Sequence, residues 1–241
     1  MVVTSPGDFR TAIREYRFGS FGFDGDSIDA ARGSIAATGL IVVGEPHGVY
    51  ETPGVLYSLA LALETRAVAF EWSHEEMDEA VQDFVRSGSF DFERLWRLPP
   101  SAEFFCGDGR IAAGHFALLQ RLRDEGRLDQ VIAFDRLDPE PHPGDWRIRD
   151  REMAERLLAE WDDALPLLVV TGAFHATVHV HPDPEDETMA FRLARERGRL
   201  LPAMLQYQNW PPVPPAPIML RLSEGKRAIV PGLQSGEEAR T

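Results

Sequence analysis

Four side chains of this 241-residue chain stand out for the chemistry they could share: Glu45, His47, Glu71 and His175. Carboxylates and imidazoles hold and release protons, and both ligate divalent metals. Their contexts are alike. Glu45 and His47 lie in Gly44-Glu45-Pro46-His47-Gly48, directly after the apolar run Leu40–Val43. Glu71 follows Ala67–Phe70, and His175 follows Leu167–Val170 by way of Gly172-Ala173-Phe174. Asp135 after Val131–Phe134 has the same placement, but Arg136 beside it offers a local ion pair. Charged groups at the ends of apolar segments lose hydration unless they are paired or functional. Their recurrence there is the main chemical signal of the sequence.

The elements that would position them alternate along the chain. The four apolar runs read as buried strands, and Leu205–Tyr207 as the close of a fifth. Between them, helical periodicity covers 27–38 with Ser27 as N-cap, 54–64, 74–87, 110–125, 148–163 and 185–197. Val55, Leu59 and Leu63 mark one such stripe, and Met153, Leu157 and Trp161 another. Residues 137–145 and Pro211–Pro217 read as loops, and 218–222 with 227–230 as a late C-terminal hairpin. This βαβα order implies an α/β fold with a largely parallel central sheet and helices on both faces. Strands buried on both sides explain the continuous apolar runs. Ligands of such sheets bind outside the carboxyl ends of the strands, where the four side chains fall. We read one domain over 1–232, with 88–108 as a lid or insertion and 233–241 as a disordered tail.

Bulk properties narrow the function. Hydrophobic residues are 44% and charged residues 27%, an ordinary globular composition. A net charge of −14 disfavours nucleic-acid and anionic-membrane partners. No apolar run approaches the ~20 residues that span a bilayer. No export signal is evident either, so a cytoplasmic location is expected. Cys106 is the sole cysteine, which excludes an intramolecular disulfide and cysteine-rich zinc sites and reads as structural.

Secondary candidates carry less. Asp150 suits the positive end of a helix dipole, while Arg149 or Arg151 could reach the site and hold a carboxylate or oxyanion. His179 and His181 follow β-branched residues and read as solvent-facing; His74, His115 and His142 read as structural. Phe90, Phe92, Trp96, Phe104 and Phe105 could wall a pocket, although core and lid packing is the simpler reading.

Together, GEPH at 44–47, AFEW at 69–72, RDREMAERL at 149–157 and TGAFHA at 171–176 resemble the ChaN-like branch of a superfamily. That superfamily also holds the Tiki/TraB proteins and the erythromycin esterases. The order and spacing of the motifs hold over about residues 38–180, and Gln82 in the acidic helix fits as well. A single residue, Pro46, separates Glu45 from His47, where the erythromycin esterases usually have two. The resemblance places Glu45, His47, Glu71 and His175 in a polar pocket, with Arg151 as helper. In Tiki-like members similar residues support metal-dependent peptide hydrolysis; in the esterases a histidine activates water without metal. ChaN proteins are lipid-anchored and bind haem through a tyrosine. Here Tyr50 and Tyr57 lie near the first motif, and neither matches such a position.

The expectation is a hydrolase of an ester or amide bond in a small-molecule or peptide substrate. His47 would be general base or metal ligand, with Glu45, Glu71 and His175 as partners or as ligands of Mn²⁺, Zn²⁺ or Fe²⁺. A haem or planar-ligand binding protein and a biosynthetic tailoring enzyme using Glu/His proton transfer are the alternatives.

Overall fold

The computed structural model describes residues 4–105, 107–136, 146–178, 187–207 and 216–222. Cys106, the loop at 137–145 with His142, His179, His181, most of the proline-rich loop, the 227–230 strand and the tail lie outside the described residues. Six strands form one all-parallel sheet in the order β3-β2-β4-β1-β5-β6. They are β1 Leu40–Glu45, β2 Ala67–Ser73, β3 Gln130–Asp135, β4 Leu167–Gly172, β5 Ala203–Tyr207 and β6 Ile218–Leu222. The fold is the expected α/β class. Residues 218–222 form a sixth strand that adds to β5 in parallel; the other half of the expected hairpin, 227–230, lies outside the described residues.

Alternation within the strands sorts the core into two layers, because successive side chains point to opposite faces of a sheet. Ile41, Val43, Val68, Phe70, Val131 and Leu168 face one layer. Leu40, Val42, Ala69, Ile132, Leu167 and Val169 face the other. The first layer is covered by α1 Pro6–Glu15, α2 Gly25–Thr38, α3 Thr52–Leu63, α4 His74–Ser87, α5 Phe92–Leu95 and α6 Ala113–Asp124. The second is covered by α7 Trp146–Glu160 and α8 Met189–Arg197. Among the described residues no helix is long and apolar enough to cross a membrane.

Helix boundaries follow local chemistry. Helix α2 starts before Ser27: the Asp24 side chain is the N-cap and accepts a hydrogen bond from the Ser27 backbone N–H. The span 88–108 is a packed connection. Phe90, Phe92, Leu95, Phe104 and Phe105 are buried, and Phe9 and Phe116 meet several of their rings edge-on. The five aromatics considered as a ligand wall thus serve the core.

The topology opens a crevice where the site residues fall. After β1 and β2 the chain crosses to the first layer, through α3 and α4; after β3 and β4 it crosses to the second, through α7 and α8. Neighbouring strands that send their connections to opposite faces leave a gap at their carboxyl ends. Here that gap lies around β4, between β2 and β1.

Gly44 closes its floor. A Cβ there would stand 2.8 Å from Ala176 Cβ and 3.1 Å from the Ala173 Cα, in the turn that carries His175. We therefore expect Gly44→Ala to destabilise the protein by about 1–3 kcal/mol, the usual cost of overpacking. In a thermal melt that corresponds to roughly 2–4 °C per kcal/mol for a domain of this size. An unchanged melting temperature would mean that the turn yields freely.

Candidate active site

Glu71 is the centre of the crevice. It is buried near the carboxyl end of β2, just past the point where the β2–β4 ladder ends with Phe70 opposite Val170. Its Oε2 accepts hydrogen bonds from the Thr171 hydroxyl at 2.7 Å and the Gly172 backbone N–H at 2.6 Å. Its Oε1 accepts from Arg149 Nη2 at 2.8 Å and lies 3.3 Å from Arg110 Nη1. Burial raises a carboxyl pKa, but the nearby His175, His47, Arg110 and Arg149 outweigh it. Glu71 is therefore held ionised, well below the usual carboxylate range.

Two histidines approach this carboxylate from the turns after the neighbouring strands β1 and β4. His47 Nε2 is 3.9 Å from Glu71 Oε2, and His175 Nε2 is 3.7 Å from Oε1. Each has its other nitrogen fixed by a second carboxylate. His47 Nδ1 is 3.2 Å from Glu45 Oε1, and His175 Nδ1 is hydrogen-bonded to Asp150 Oδ1. Each ring thus presents Nδ1 to its own carboxylate and Nε2 to Glu71. Burial disfavours the charged form of each histidine. Glu45 and Glu71 overcome it for His47, and Asp150 and Glu71 for His175, so both pKa values lie above 6.5. Asp150 is itself fully buried, and its Oδ2 has no hydrogen-bond partner among the described residues.

Behind Glu71 runs an ion network. Asp135 Oδ1 accepts from Arg149 Nε at 2.8 Å and from the Arg136 backbone N–H at 2.9 Å. Arg110 Nη1 lies 3.4 Å from Asp135 and 2.8 Å from Glu103, and its Nε donates to Asp108 at 2.6 Å. Glu103 in turn accepts from the Ser73 backbone N–H at 2.5 Å. Burial, reinforced by Asp135, pushes the Glu103 carboxyl up to about 7.

The structure therefore brings Glu45, His47, Glu71 and His175 together. It does not bring Arg151, whose side chain is 51% exposed and lies 3.9 Å from Glu155. The reason is helical geometry: at about 100° per residue, Arg151 points ~200° away from Arg149. Asp150 is also not a dipole partner, because α7 begins at Trp146 and Asp150 lies in its second turn. It orients His175 instead. Asp135 belongs to the ion network, not to the histidine cluster. Arg110 and Glu103 escaped sequence reasoning because they come from the irregular span before α6; the Asp108-Gly109-Arg110 loop was the available hint. His115 is buried with its ring edge-on to Phe70 and held neutral by burial, as a structural histidine. His74 lies beside Glu75 at 3.5 Å, outside the cluster.

Glu71 spends both oxygens on hydrogen-bond donors, and the guanidiniums of Arg149 and Arg110 lie beside its Oε1. No group of three or more His, Cys, Asp or Glu side chains is arranged to hold a metal among the described residues.

No known family model matches the chain, and no curated protein is similar to it in sequence. Solved structures do match its fold. One is described as "Bacterial protein toxins", with a TM-score of 0.52 and 10% identity over 87% of this chain. Another is RRSP, a MARTX toxin effector domain from Vibrio vulnificus CMCP6, with a TM-score of 0.50 and 13% identity over 89%. The alignments span 41% and 44% of those chains, so the likeness covers less than half of each. At such identities the likeness is one of fold.

The electrostatics make a prediction that needs no substrate. Glu71→Gln removes the charge that both histidines share, so imidazole titration by NMR should show both pKa values falling towards 6.5. The pH dependence of stability should change as well. Glu71, with its pKa lowered, stabilises the fold above its unfolded value of 4.5, and that contribution fades as the pH falls. The histidines, with raised values, stabilise it below 6.5 and lose that contribution as the pH rises through their folded pKa values. Histidine titrations unmoved in Glu71→Gln would refute the coupling.

Proposed function

We propose that the protein is a hydrolase of an ester or amide bond that works by general acid–base catalysis through the two histidines. The observation that carries this reading is the pair of carboxylate–imidazole dyads, Glu45–His47 and Asp150–His175, facing one ionised carboxylate. Neutral His47, the more accessible of the two, takes a proton from water through Nε2 as the water oxygen bonds to the carbonyl carbon. Glu45 holds the Nδ1 proton and stabilises the resulting imidazolium, the role of the third group in hydrolytic triads. The carbonyl electron pair moves to oxygen, and protonated His175 donates a hydrogen bond to that oxyanion. When the tetrahedral centre collapses, the C–O or C–N bond breaks and the leaving group takes a proton from an imidazolium. Glu71 stays ionised throughout and favours the protonated form of each histidine as it arises.

Support also comes from the order of the four motifs, which resembles the ChaN-like and erythromycin esterase-like chains. Membership of that branch, a small-molecule or peptide substrate and a cytoplasmic location belong to the same proposal. The guanidinium-rich surroundings of Glu71 favour the metal-free version.

Three outcomes check the proposal. His47→Ala should lower kcat/KM on an activated ester by at least ~10²-fold, in the range general-base catalysis contributes. Arg151→Ala, on the solvent side of α7, should leave it unchanged. The pH profile of kcat/KM should be bell-shaped and centred above 6.5, because the environment raises both histidines; an optimum well below 6.5 contradicts the assignment. Dialysis against a chelator should leave turnover intact, whereas loss that Mn²⁺ or Zn²⁺ restores would return the metal-dependent mechanism.

A further inference from the structure

Three large apolar side chains are conspicuously exposed among the described residues: Tyr50 at 40%, Ile148 at 39% and Phe174 at 52%. Each is a close neighbour in sequence of a site residue: Tyr50 of His47, Ile148 of Arg149, and Phe174 of His175. An exposed aromatic side chain beside a polar site is informative where a lone exposed leucine is not. Phe174 is the most exposed of the three, and it has company. Its ring meets Trp146 edge-on at 5.3 Å between centroids and the His175 imidazole edge-on at 5.4 Å. Helical geometry places Trp146 on the same side of α7 as Arg149 and Asp150: three residues before Arg149 is about 60° of rotation, four before Asp150 about 40°. An aromatic surface therefore continues directly from the His175 dyad towards solvent.

We infer that Trp146 and Phe174 form the specificity surface of this site and take a large uncharged apolar group, aryl or branched alkyl, on the acyl side of the scissile bond. The inference rests on the hydrolase reading above and names its substrate class. Charge supports an uncharged group over an anionic one. The guanidiniums of Arg110 and Arg149 are paired with Glu71, Asp135, Glu103 and Asp108, so a substrate carboxylate or phosphate would have to compete with those carboxylates for them. Ligand sites commonly pair a few placed polar groups with aromatic walls, and here the two kinds of surface adjoin. Two neighbouring aromatic rings also have the area to matter, since one well-placed methylene in such a contact is worth about 10–200-fold in discrimination.

The test uses the full chain and p-nitrophenyl esters that share one leaving group and differ in acyl group: acetyl, phenylacetyl and succinyl. The wild type should prefer phenylacetyl to acetyl by ~10-fold or more in kcat/KM and disfavour succinyl. Phe174→Ser should erase that preference mainly by raising KM for the phenylacetyl ester, and Phe174→Leu should restore part of it. Equal slowing of all esters by Phe174→Ser, or no acyl preference in the wild type, overturns the inference. Binding of phenylacetamide, followed by NMR or calorimetry, separates this failure from failure of the hydrolase reading. If no ester is cleaved but phenylacetamide binds the wild type and not Phe174→Ser, the aromatic surface stands and the hydrolase reading falls. If phenylacetamide does not bind either protein and no ester is cleaved, both fall.

Discussion

A buried glutamate decides this structure. Taking the Glu71 carboxylate out of water costs several kcal/mol, even after relaxation. The cost is offset by two neutral donors from β4 and by two guanidiniums, Arg149 and Arg110. None of these partners is local in sequence. Ionising Glu71 is favourable only when β2, β4, α7 and the loop before α6 are all in place. The charge thus links folding of the sheet to assembly of the site. The raised histidine pKa values follow from the same source, since Glu71 is one of the charges that favour the protonated form of each.

The sheet explains why the partners arrive from so many directions. Strand β4 lies between β2 and β1, yet its connection leaves on the opposite face from theirs. His47 therefore comes from the first-layer side and His175 from the second-layer side of the same carboxylate. Helix α7 adds two side chains one residue apart, turned ~100° from each other. Arg149 reaches Glu71 and Asp135, while Asp150 reaches His175. One helical turn thereby connects the ion network to a histidine dyad.

Much of this was legible in the sequence because strands and their tips carry strong local signals. The buried runs 40–43, 67–70, 131–134 and 167–170 are apolar without alternation, and parallel pairing follows from that pattern with the helices between them. Glu45, His47, Glu71 and His175 were legible because a polar residue at the end of such a run is anomalous. Arg110 and Glu103 carried no such anomaly: charged residues in an irregular span look like solvated loop until tertiary contacts bury them. Asp150 was misread for a related reason. Its carboxylate suits a helix dipole, and only the position of the helix start decides between the two roles; α7 begins at Trp146, which moves Asp150 beyond the first turn. The pairing of 218–222 with β5 was hidden because alternation along a short strand is the same in parallel and antiparallel ladders.

The distribution of charge also limits what the crevice can recognise. Glu45, Glu71, Asp135 and Asp150 are almost wholly enclosed, and the guanidiniums nearest them are tied to carboxylates. A guanidinium already paired with buried carboxylates grips an incoming anion only in competition with them, and an unpaired buried charge costs about 3–5 kcal/mol. The groups left to meet a substrate are then the two Nε2 positions, which can exchange protons, and the aromatic edge at Phe174 and Trp146, which can bind apolar surface. The arrangement assigns reactivity to the imidazoles and selectivity to the rim, because most of the interior charges are paired with one another.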